Sequence, residues 1–565
     1  RYFNREDRYD NTYPGYGSTY PNFLGGLGLV FEQASSRGHA QAHPTHGVLR
    51  FAFPIRNHVR TSLATVRASV ERKAMLQEYQ RDYFALSLER ARDDGVRAWV
   101  FGDPHDPSKN RDFLELLLQH RIEVHELGAE RRAAGHTFRP GSAWVVPAEQ
   151  PLYLLARSIF ERTDHYTGRA GSRASAWTMT LAYDMPDAAI TGGGVPRGDR
   201  VTSVPGPEGL GDAPPAAFAY LLDWSDYYAP KALHHLLESG VRAEVALEPF
   251  TARTAGGEWP YPAGSVSVPV AAQDLAPDEL NAVIREAEET AGAPFQTTAT
   301  SSTLPDGIDL GSDYVRPIRN PKVLMPIGAG ASGYEAGEVW HLLDTRVGMP
   351  VTKVDRMDLD RVPLEEYDVL ILVSGAERIL EDEGMVEEVE GWVRRGGTLV
   401  ALRTAAHWAA RSGLAPHVSV SDDEDGEAGP EDRIDYDRAE ALAARQRIAG
   451  AMVEVDVDPT HPIGFGLHRR RMAVWRNHNL VLPPSDNPFS TVARYTDRLR
   501  LSGFLSEENT ARLRGTASVL ADELGRGSVI LLLDNPNFRG FWYGSNRLFL
   551  NALFYGDKAS VPATP

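Results

Sequence analysis

The sequence predicts a multidomain α/β protein, and three observations support this fold class. At roughly 100–200 residues per domain, a chain of 565 residues has room for about three to five domains. A strand–helix–strand pattern occurs twice between residues 95 and 315. From Pro321 onward, apolar strands alternate with amphipathic helices, which is typical of a parallel, doubly wound sheet.

The composition excludes several classes of function. Asp and Glu outnumber Lys and Arg by 77 to 59, and the formal net charge is −18. Because such a charge repels phosphate backbones, we predict no nucleic-acid partner. The chain has no cysteine, so disulfides, thiolate metal ligands and cysteine nucleophiles are excluded. No run approaches the roughly 20 apolar residues of a membrane helix, so we predict no membrane span.

Residues 1–94 form the first predicted segment. The opening RYFNREDRYDNTYPGYG has neither an initiating Met nor the pattern of a secretory signal, so we expect the true start to lie upstream. GLGLVFEQ and GVLRFAF are short apolar runs bounded by Gly, which predict buried strands. A helix follows, with Leu63, Val66 and Val70 at helical spacing, and the stop signal is Asp94-Gly95.

An internal repeat begins at Gly95. AWVFGDPHDPSKNRDFLELLLQHRIEVHEL matches AYLLDWSDYYAPKALHHLLESGVRAEVALE, and each copy is followed by a closing strand, PGSAWVVP or AGSVSVPV. The repeat predicts two related βαβ lobes, residues 95–190 and 216–315. Residues 191–215 are dense in Gly and Pro and predict a linker.

Residues 316–565 form the last predicted domain. Its strands are KVLMPIG, DVLILVSG, TLVALRT and SVILLLDN, with amphipathic helices between them. In one helix Val386, Val389 and Val393 form an apolar stripe, and Gly396-Gly397 ends the helix. These features predict a doubly wound domain.

An acidic insertion, SDDEDGEAGPEDRIDYD, approaches the pattern of a calcium-binding loop. Asp423, Asp425, Gly426 and Asp432 fit that pattern, but Ser421 stands where its first carboxylate belongs. We therefore favour a solvated surface loop over a calcium site.

The opening segment YPGYGSTYPNFLGGLGLVFEQASSRG resembles the last part of the catalytic domain of M14 zinc carboxypeptidases, and the resemblance continues to the end of the chain. In that family a flexible Tyr loop precedes a strand that ends in the catalytic Glu. The resemblance implies that Glu32 is the general base that activates a zinc-bound water. It also implies that Tyr13 or Tyr16, with Tyr13 preferred, hydrogen-bonds the substrate. Such chemistry is sound, because zinc lowers the pKa of bound water to about 7.

The family takes its zinc from a His-x-x-Glu pair and a later His, all upstream of the Tyr loop. That half is absent from this sequence, so we expect zinc and a peptide substrate in the intact family member, but a truncated, inactive chain without metal here. The resemblance also implies an extracellular or periplasmic location. Without the family, Glu32 would be a surface carboxylate at a strand end, and the tyrosines would anchor a loop.

Two other groups of residues could bind zinc. His235 and Glu238 have His-x-x-Glu spacing, but the repeat places them in the helix of the second lobe, so we do not expect a metal there. His39, His43 and His46 lie in one loop. We favour solvated histidines over a zinc site, although their proximity to Glu32 makes the idea testable.

The last domain resembles class I glutamine amidotransferase-like folds, in which a nucleophile sits on the sharp turn after a central strand. The matching turn, VALRTAAHWAARSG, offers Thr404, Ala405 and Ala406 where such an enzyme needs Cys, so we predict no glutamine hydrolysis. Thr404 and His407 could form a nucleophile–base pair, but a structural Thr and a helix-start His are favoured.

The alternative function is a non-catalytic module that binds a small molecule, a saccharide or a partner protein. Doubly wound sheets place ligands at the carboxyl ends of their strands. Ser374, Glu377, Arg403 and His407 follow two of these strands and would line such a crevice. A purely structural role for the lobes, in positioning the peptidase or in oligomerisation, is a third possibility.

Overall fold

The computed structural model describes residues 13–33, 36, 38–45, 47–163, 175–207, 209–211, 213–381, 383–420 and 435–559. The acidic insertion, with its candidate calcium-binding positions, and His46 lie outside these residues. Within the described ranges, none of the helices combines the length and the apolar composition that crossing a bilayer requires.

The opening segment forms an exposed hairpin and two helices. Their bounds are β1 Ala40–His43, β2 Gly47–Arg50, α1 Ala52–Glu71 and α2 Lys73–Asp93. The prediction of two buried strands is wrong. Residues 26–33 have no regular structure, and Phe31 within them is 54% exposed. GVLR does form a strand, but it pairs only with β1 and is largely exposed.

The predicted helix after this hairpin exists, but its apolar stripe faces outward. Leu63, Val66 and Val70 share one face of α1, and their exposed fractions are 58%, 61% and 72%. Helical spacing shows which residues share a face, but it does not show what covers that face.

The first lobe contains a five-stranded sheet and three helices. The bounds are β3 Ala98–Phe101, α3 Pro107–Gln119, β4 His125–Leu127, β5 Arg131–Ala133, β6 His136–Phe138, β7 Trp144–Pro147, α4 Tyr153–Phe160, α5 Met179–Ala182, β8 Asp187–Ile190 and β9 Arg197–Arg200. The strand order is β8-β3-β7-β4-β9, and β5 and β6 form a separate hairpin.

The second lobe repeats this topology. The bounds are β10 Ala219–Leu222, α6 Ala229–Glu238, β11 Glu244–Ala246, β12 Phe250–Thr254, β13 Gly257–Tyr261, β14 Val266–Pro269, α7 Pro277–Ala291, β15 Phe295–Thr298 and β16 Val315–Pro317. Its seven-stranded sheet has the order β13-β12-β15-β10-β14-β11-β16. Strands β15-β10-β14-β11-β16 therefore correspond one by one to β8-β3-β7-β4-β9. In each lobe the two strands of the βαβ unit flank an antiparallel third strand, β7 or β14.

Part of the predicted linker belongs to the first lobe. Residues 197–200 form β9, which pairs with β4 through His125↔Arg200 and Leu127↔Arg197. Strand β16 has the same place in the second lobe. The sequence hides β9 because RGDR is fully polar and exposed, so no apolar alternation marks it.

The exposure of the α1 stripe leads to a prediction about stability. We expect Leu63→Gln, Val66→Gln and Val70→Gln each to change the free energy of unfolding by less than about 0.5 kcal/mol, because each side chain is already in water. As a buried control, Leu114→Ala in α3 should cost about 2–5 kcal/mol, since Leu114 has no exposed surface. Urea unfolding of the four variants would test this, and a large cost for the stripe would contradict it.

The two lobes meet through reciprocal hydrogen bonds. Asp106 accepts from the backbone N–H of Tyr227 at 3.0 Å, and Asp226 accepts from the backbone N–H of Ser108 at 3.3 Å. Each aspartate ends an Asp-x-x-Asp sequence, which begins at Asp223 directly after β10 and at Asp103 two residues after the last residue of β3. The internal repeat thus places equivalent carboxylates at the contact between the lobes.

Asp226 has an unusual protonation equilibrium. It is 2% exposed, and burial together with the charge of Asp106 raises its pKa to about 7. In the unfolded chain an aspartate titrates near about 3.9. Between these values the folded protein retains a proton that the unfolded chain has released. The resulting stability is therefore present at low pH and is lost as the pH rises through about 7.

We expect the free energy of unfolding to fall between pH 5 and 7 by up to about 1.4 kcal/mol per pH unit on account of this group. Asp226→Asn removes the titrating carboxyl, so the free energy of unfolding of the variant should lack this pH dependence. The difference in unfolding free energy between wild type and variant should therefore change with pH by this slope between pH 5 and 7. Urea unfolding at half-unit pH steps measures it. Parallel curves for the two proteins would contradict the assignment.

The third domain contains a nine-stranded sheet in the order β18-β17-β19-β20-β25-β24-β23-β21-β22. The bounds are β17 Val323–Ile327, α8 Gly333–His341, β18 Thr352–Asp355, β19 Val369–Leu372, α9 Glu383–Arg394, β20 Thr398–Leu402, α10 Thr404–Arg411, α11 Ala439–Gln446, β21 Ala451–Val457, β22 Arg471–Arg476, β23 Thr491–Ser502, α12 Glu507–Leu513, β24 Ala517–Leu524, β25 Gly527–Leu532 and α13 Tyr543–Tyr555. The first five strands in this order are parallel, and β24, β23, β21 and β22 continue the sheet as antiparallel strands.

The doubly wound prediction is confirmed for the parallel half of this sheet. Val389 and Val393 of α9 have no exposed surface, and Val386 packs against the same core. Gly396 then takes a φ of 120° just after the helix, where a side chain would be strained.

Helix α13 joins the third domain to the lobes. All but its first residue are buried. Trp224 of the second lobe donates from Nε1 to Asn551 at 2.8 Å, and the Tyr227 hydroxyl donates to Asn546 at 2.7 Å. The aromatic closing segment of the chain is therefore buried within the fold.

Candidate functional site

The sharp turn after the central strand β20 is occupied by Arg403. Its φ of 49° and ψ of −108° are rare for a residue with a side chain, and such conformations cost about 1–3 kcal/mol. Its backbone N–H donates to Leu532 at 2.9 Å, which ties the turn to β25. The expectation that Thr404, Ala405 or Ala406 holds this position is wrong, because these residues form the first turn of α10. A guanidinium is not a nucleophile, so the turn itself cannot start covalent catalysis.

Glu335 connects the loops that follow β19 and β20. One carboxylate oxygen accepts from Arg403 Nη1 at 2.6 Å, and the other accepts from the backbone N–H of Ser374 at 2.8 Å. Glu335 is 2% exposed and lies in the first turn of α8, whose N-cap is Ser332. Sequence reasoning missed this residue. The available signal was the spacing Ser332-x-x-Glu335 shortly after β17, which is a helix-start pattern.

Asp534 follows β25 and organises a second buried cluster. It accepts from the Tyr495 hydroxyl at 2.6 Å, from Ser518 at 2.8 Å and from Arg476 Nη1 at 3.3 Å. Burial raises the pKa of this carboxyl, but the charge of Arg476 and the neighbouring His478 outweigh burial and hold it below its usual value. Asp534 is therefore ionised at neutral pH.

His478 lies beside this carboxylate, with Nε2 at 3.5 Å from Asp534 Oδ1. Burial, followed by the charge of Arg476, lowers the pKa of His478 to about 3, and Arg403 contributes in the same direction. The imidazole is therefore neutral at physiological pH and offers one hydrogen-bond donor and one acceptor.

Several buried polar atoms in this region have no hydrogen-bond partner among the described residues. They are Ser374 Oγ, Glu377 Oε2, Arg403 Nε, Asn477 Oδ1 and His478 Nδ1. A buried polar group without a partner costs about 1–3 kcal/mol, and native proteins usually satisfy such groups with water or ligand. Ser374, Glu377 and Arg403 follow β19 and β20, and His478 lies beside Asp534, which follows β25. This group is the candidate binding site, which we call the strand-end site.

The predicted crevice residues are partly brought together. Ser374 and Arg403 meet through Glu335, and Glu377 lies in the 3-10 helix Ala376–Glu381, which begins two residues after Ser374. His407 lies one turn along α10, where its backbone N–H donates to the Arg403 carbonyl at 3.0 Å. Sequence reasoning therefore found part of the strand-end site and missed Glu335 and His478.

The chain order of the parallel strands reverses between β17 and β19, where doubly wound folds often bind ligands. Here that position is closed. A Cβ on Gly375 would lie 2.0 Å from the Gly330 carbonyl oxygen, and the Ser332 N–H donates to the Ser374 carbonyl at 2.7 Å. The unpaired polar atoms accordingly lie on the β20 side of this reversal.

The chain was also compared with known proteins. No family model matches the chain, and no curated protein matches it. PurLQS from Thermotoga maritima is similar to it at 13% identity and a TM-score of 0.28, covering 41% of this chain and 97% of that chain. A ThuA-like protein from Parabacteroides merdae ATCC 43184 is similar at 14% identity and a TM-score of 0.27, covering 43% of this chain and 92% of that chain. A ThuA-like protein from Bacteroides uniformis ATCC 8492 is similar at 14% identity and a TM-score of 0.22, covering 41% of this chain and 89% of that chain.

The residues implied by the peptidase resemblance lie apart from regular structure. The rings of Tyr13 and Tyr16 pack edge to face with centroids 5.1 Å apart, and the guanidinium of Arg539 lies 4.8 Å from the Tyr13 ring. The Tyr loop thus packs against the segment that follows β25. Glu32 is exposed and lies in an irregular stretch, so the expectation that it ends a strand is wrong.

The histidines considered as zinc ligands are placed as follows. His39 and His43 are exposed at the β1–β2 hairpin, and His43 Nδ1 accepts from the Thr45 N–H at 3.2 Å. His235 and Glu238 lie in α6, and Glu238 accepts a hydrogen bond from Asn320. The part of the chain that the structure describes contains no cluster of three or more His, Asp or Glu residues arranged to hold a metal.

Proposed function

We propose that the third domain is a non-catalytic module that binds a polar small molecule at the strand-end site. The observation that supports this proposal is the set of buried polar atoms without partners around Arg403. A ligand that offers hydrogen-bonding groups would satisfy several of these atoms at once.

The charges of the site indicate the class of ligand. Glu335 balances the charge of Arg403, and Asp534 balances that of Arg476. Glu377 adds a carboxylate whose Oε2 has no partner among the described residues, so the site does not favour an anion. Neutral His478 and the hydroxyl of Ser374 add hydrogen-bonding groups without charge. A neutral, polyhydroxylated molecule such as a saccharide fits this balance better than a strongly charged one.

Binding can be tested on the whole chain by isothermal titration with glucose, galactose, xylose, N-acetylglucosamine and sucrose. We expect at least one of these sugars to bind saturably at one site per chain. Ser374→Ala should weaken that binding at least tenfold, because the variant removes a hydrogen bond to the sugar. Ser374 Oγ has no hydrogen-bond partner within the described protein, so the substitution breaks no internal hydrogen bond of that atom. Arg378→Met, which changes an exposed arginine in the next turn, is the matched control and should bind normally. A flat panel, or equal binding by both variants, would overturn the proposal.

The peptidase function stays a prediction from the M14 resemblance, and the extracellular or periplasmic location rests on the same resemblance. We expect the 565-residue chain to bind no stoichiometric zinc and to release no C-terminal residues from peptides. Elemental analysis after chelation and readdition of zinc measures the first, and hydrolysis of blocked dipeptides measures the second. Chelator-sensitive hydrolysis that Glu32→Gln abolishes would instead support a complete peptidase.

A further inference from the structure

A cavity of about 200 Å³ lies where the two lobes and the third domain meet. We call it the junction cavity. The first lobe contributes the end of β3, the β5–β6 hairpin and the loop before β8, and the third domain contributes residues 466–469 and the start of α13. Drug-sized ligands need about 300–1,000 Å³, so only a small molecule fits here.

Most charges that line the junction cavity are paired. Lys109 Nζ lies 3.3 Å from Asp106 and 3.8 Å from Asp103, and Arg469 lies 2.9 Å from Asp184 and 3.8 Å from Asp103. Burial raises the pKa of Asp103, but Lys109 and Arg469 outweigh this and keep it below its usual value. Asp103 is therefore ionised, and the three carboxylates share two cationic partners, Lys109 and Arg469.

Arg547 of α13 forms no ion pair within 4 Å among the described residues. Burial lowers the pKa of its guanidinium, and the charges of Asp106 and Asp226 oppose this shift. The side chain is buried beside the ring of Trp224, at 5.3 Å from the ring centroid. Nη2 donates to the backbone carbonyls of Asp226 and Ser225 at 2.6 and 3.5 Å. Nη1 has no hydrogen-bond partner among the described residues. A buried guanidinium with a free N–H group requires an acceptor, and an anionic oxygen is the strongest one.

One wall of the junction cavity carries two stacked imidazoles. The rings of His105 and His468 stack with centroids 3.9 Å apart. Burial and the neighbouring His105 lower the pKa of His468 to about 4, so this imidazole is uncharged at neutral pH. The wall can therefore hydrogen-bond a hydroxyl or amino group without adding charge.

We propose that the junction cavity binds a small organic monocarboxylate that carries a hydroxyl or amino group, with Arg547 Nη1 donating to the carboxylate. The lining carries three carboxylates, Asp103, Asp106 and Asp184, and three cations, Lys109, Arg469 and Arg547, so a ligand with one negative charge disturbs this balance less than a dianion does. A dianion such as phosphate would face the carboxylates of Asp103, Asp106 and Asp184, which repel it. The site is separate from the strand-end site and does not depend on the function proposed there.

The test uses isothermal titration of the whole chain with glycolate, glycine and acetate, and with inorganic phosphate as the comparison anion. We expect glycolate or glycine to bind at one site per chain, more tightly than acetate and at least tenfold more tightly than phosphate. Arg547→Lys should weaken this binding at least tenfold, because a lysine cannot reproduce the geometry of two adjacent N–H donors.

Arg547 also supports the fold, so a second variant tests the cavity without changing its charges. Thr137→Trp on the β5–β6 hairpin places a large ring at the half-buried lining and should abolish glycolate binding. Thr251→Trp, on the hairpin of the second lobe and outside the cavity, is the matched control and should bind like wild type. No saturable binding of any monocarboxylate, tighter binding of phosphate, or unchanged binding by Thr137→Trp would overturn the proposal.

Discussion

Replacing Asp534 by alanine is expected to destabilise the protein by about 3–5 kcal/mol, the cost of breaking a buried ion pair. The side chain of Arg476 has no exposed surface, so it would keep its charge in the interior without a counterion. The Tyr495 hydroxyl and Ser518 would lose their acceptor at the same time. Urea unfolding followed by circular dichroism would measure the change.

The matched control is Asp456→Ala on the neighbouring strand β21. Asp456 pairs with Arg470 at 3.0 Å, but both side chains are well exposed, at 38% and 60%. Exposed pairs contribute about 0–1 kcal/mol, so this variant should remain close to wild type. Similar costs for the two variants would show that the Asp534 cluster is not the buried network described above.

Glu335→Gln is expected to cost about 2–3 kcal/mol. Breaking a fully buried pair costs about 3–5 kcal/mol, and the Arg403 side chain is 21% exposed, which moderates the loss. Glutamine retains an oxygen for the Ser374 N–H, so the variant removes mainly the charge. Chemical unfolding of the single variant gives the cost.

A double-mutant cycle with Arg403→Met separates the ion pair from other effects. If the pair is coupled as its 2.6 Å distance indicates, the double variant should be more stable than the sum of the two single losses by at least about 1 kcal/mol. Glu390→Gln on α9, whose partner Arg394 is 54% exposed, should change stability by less than about 0.5 kcal/mol. Additive losses in the cycle would contradict a direct interaction.

Short apolar runs and helical spacing in the sequence predicted the strands and helices whose burial follows from their own residues. Strands β17, β19, β20 and β25 of the third domain are short apolar runs, since each is buried on both faces, and the α9 stripe has clear helical spacing. The fifth parallel strand, β18, lies at the edge of the sheet, and its sequence TKVD is polar and largely exposed. The lobes were found because a repeated sequence implies a repeated topology. The antiparallel half of the third sheet was missed, because strands such as β23, with several exposed charged residues, carry no comparable apolar run.

The strand-end site was predictable only where it follows from strand polarity. Ser374 and Arg403 follow neighbouring parallel strands, so their meeting could be expected. His478 comes from the connection between β22 and β23, and its approach to Asp534 depends on the pairing of distant strands. In the opening segment, GLGLVFEQ has the composition of a buried strand but no described partner to cover it.

The reciprocal contacts between the lobes are of the kind that two identical subunits make across a two-fold axis, where each copy gives and receives the same bond. Joining the copies in one chain makes their association independent of concentration. It also lets each half diverge alone. Lys109 stands three residues after Asp106, whereas Ala229 has that place after Asp226. Duplication followed by such one-sided change explains how a near-symmetric junction can carry a single charged cavity.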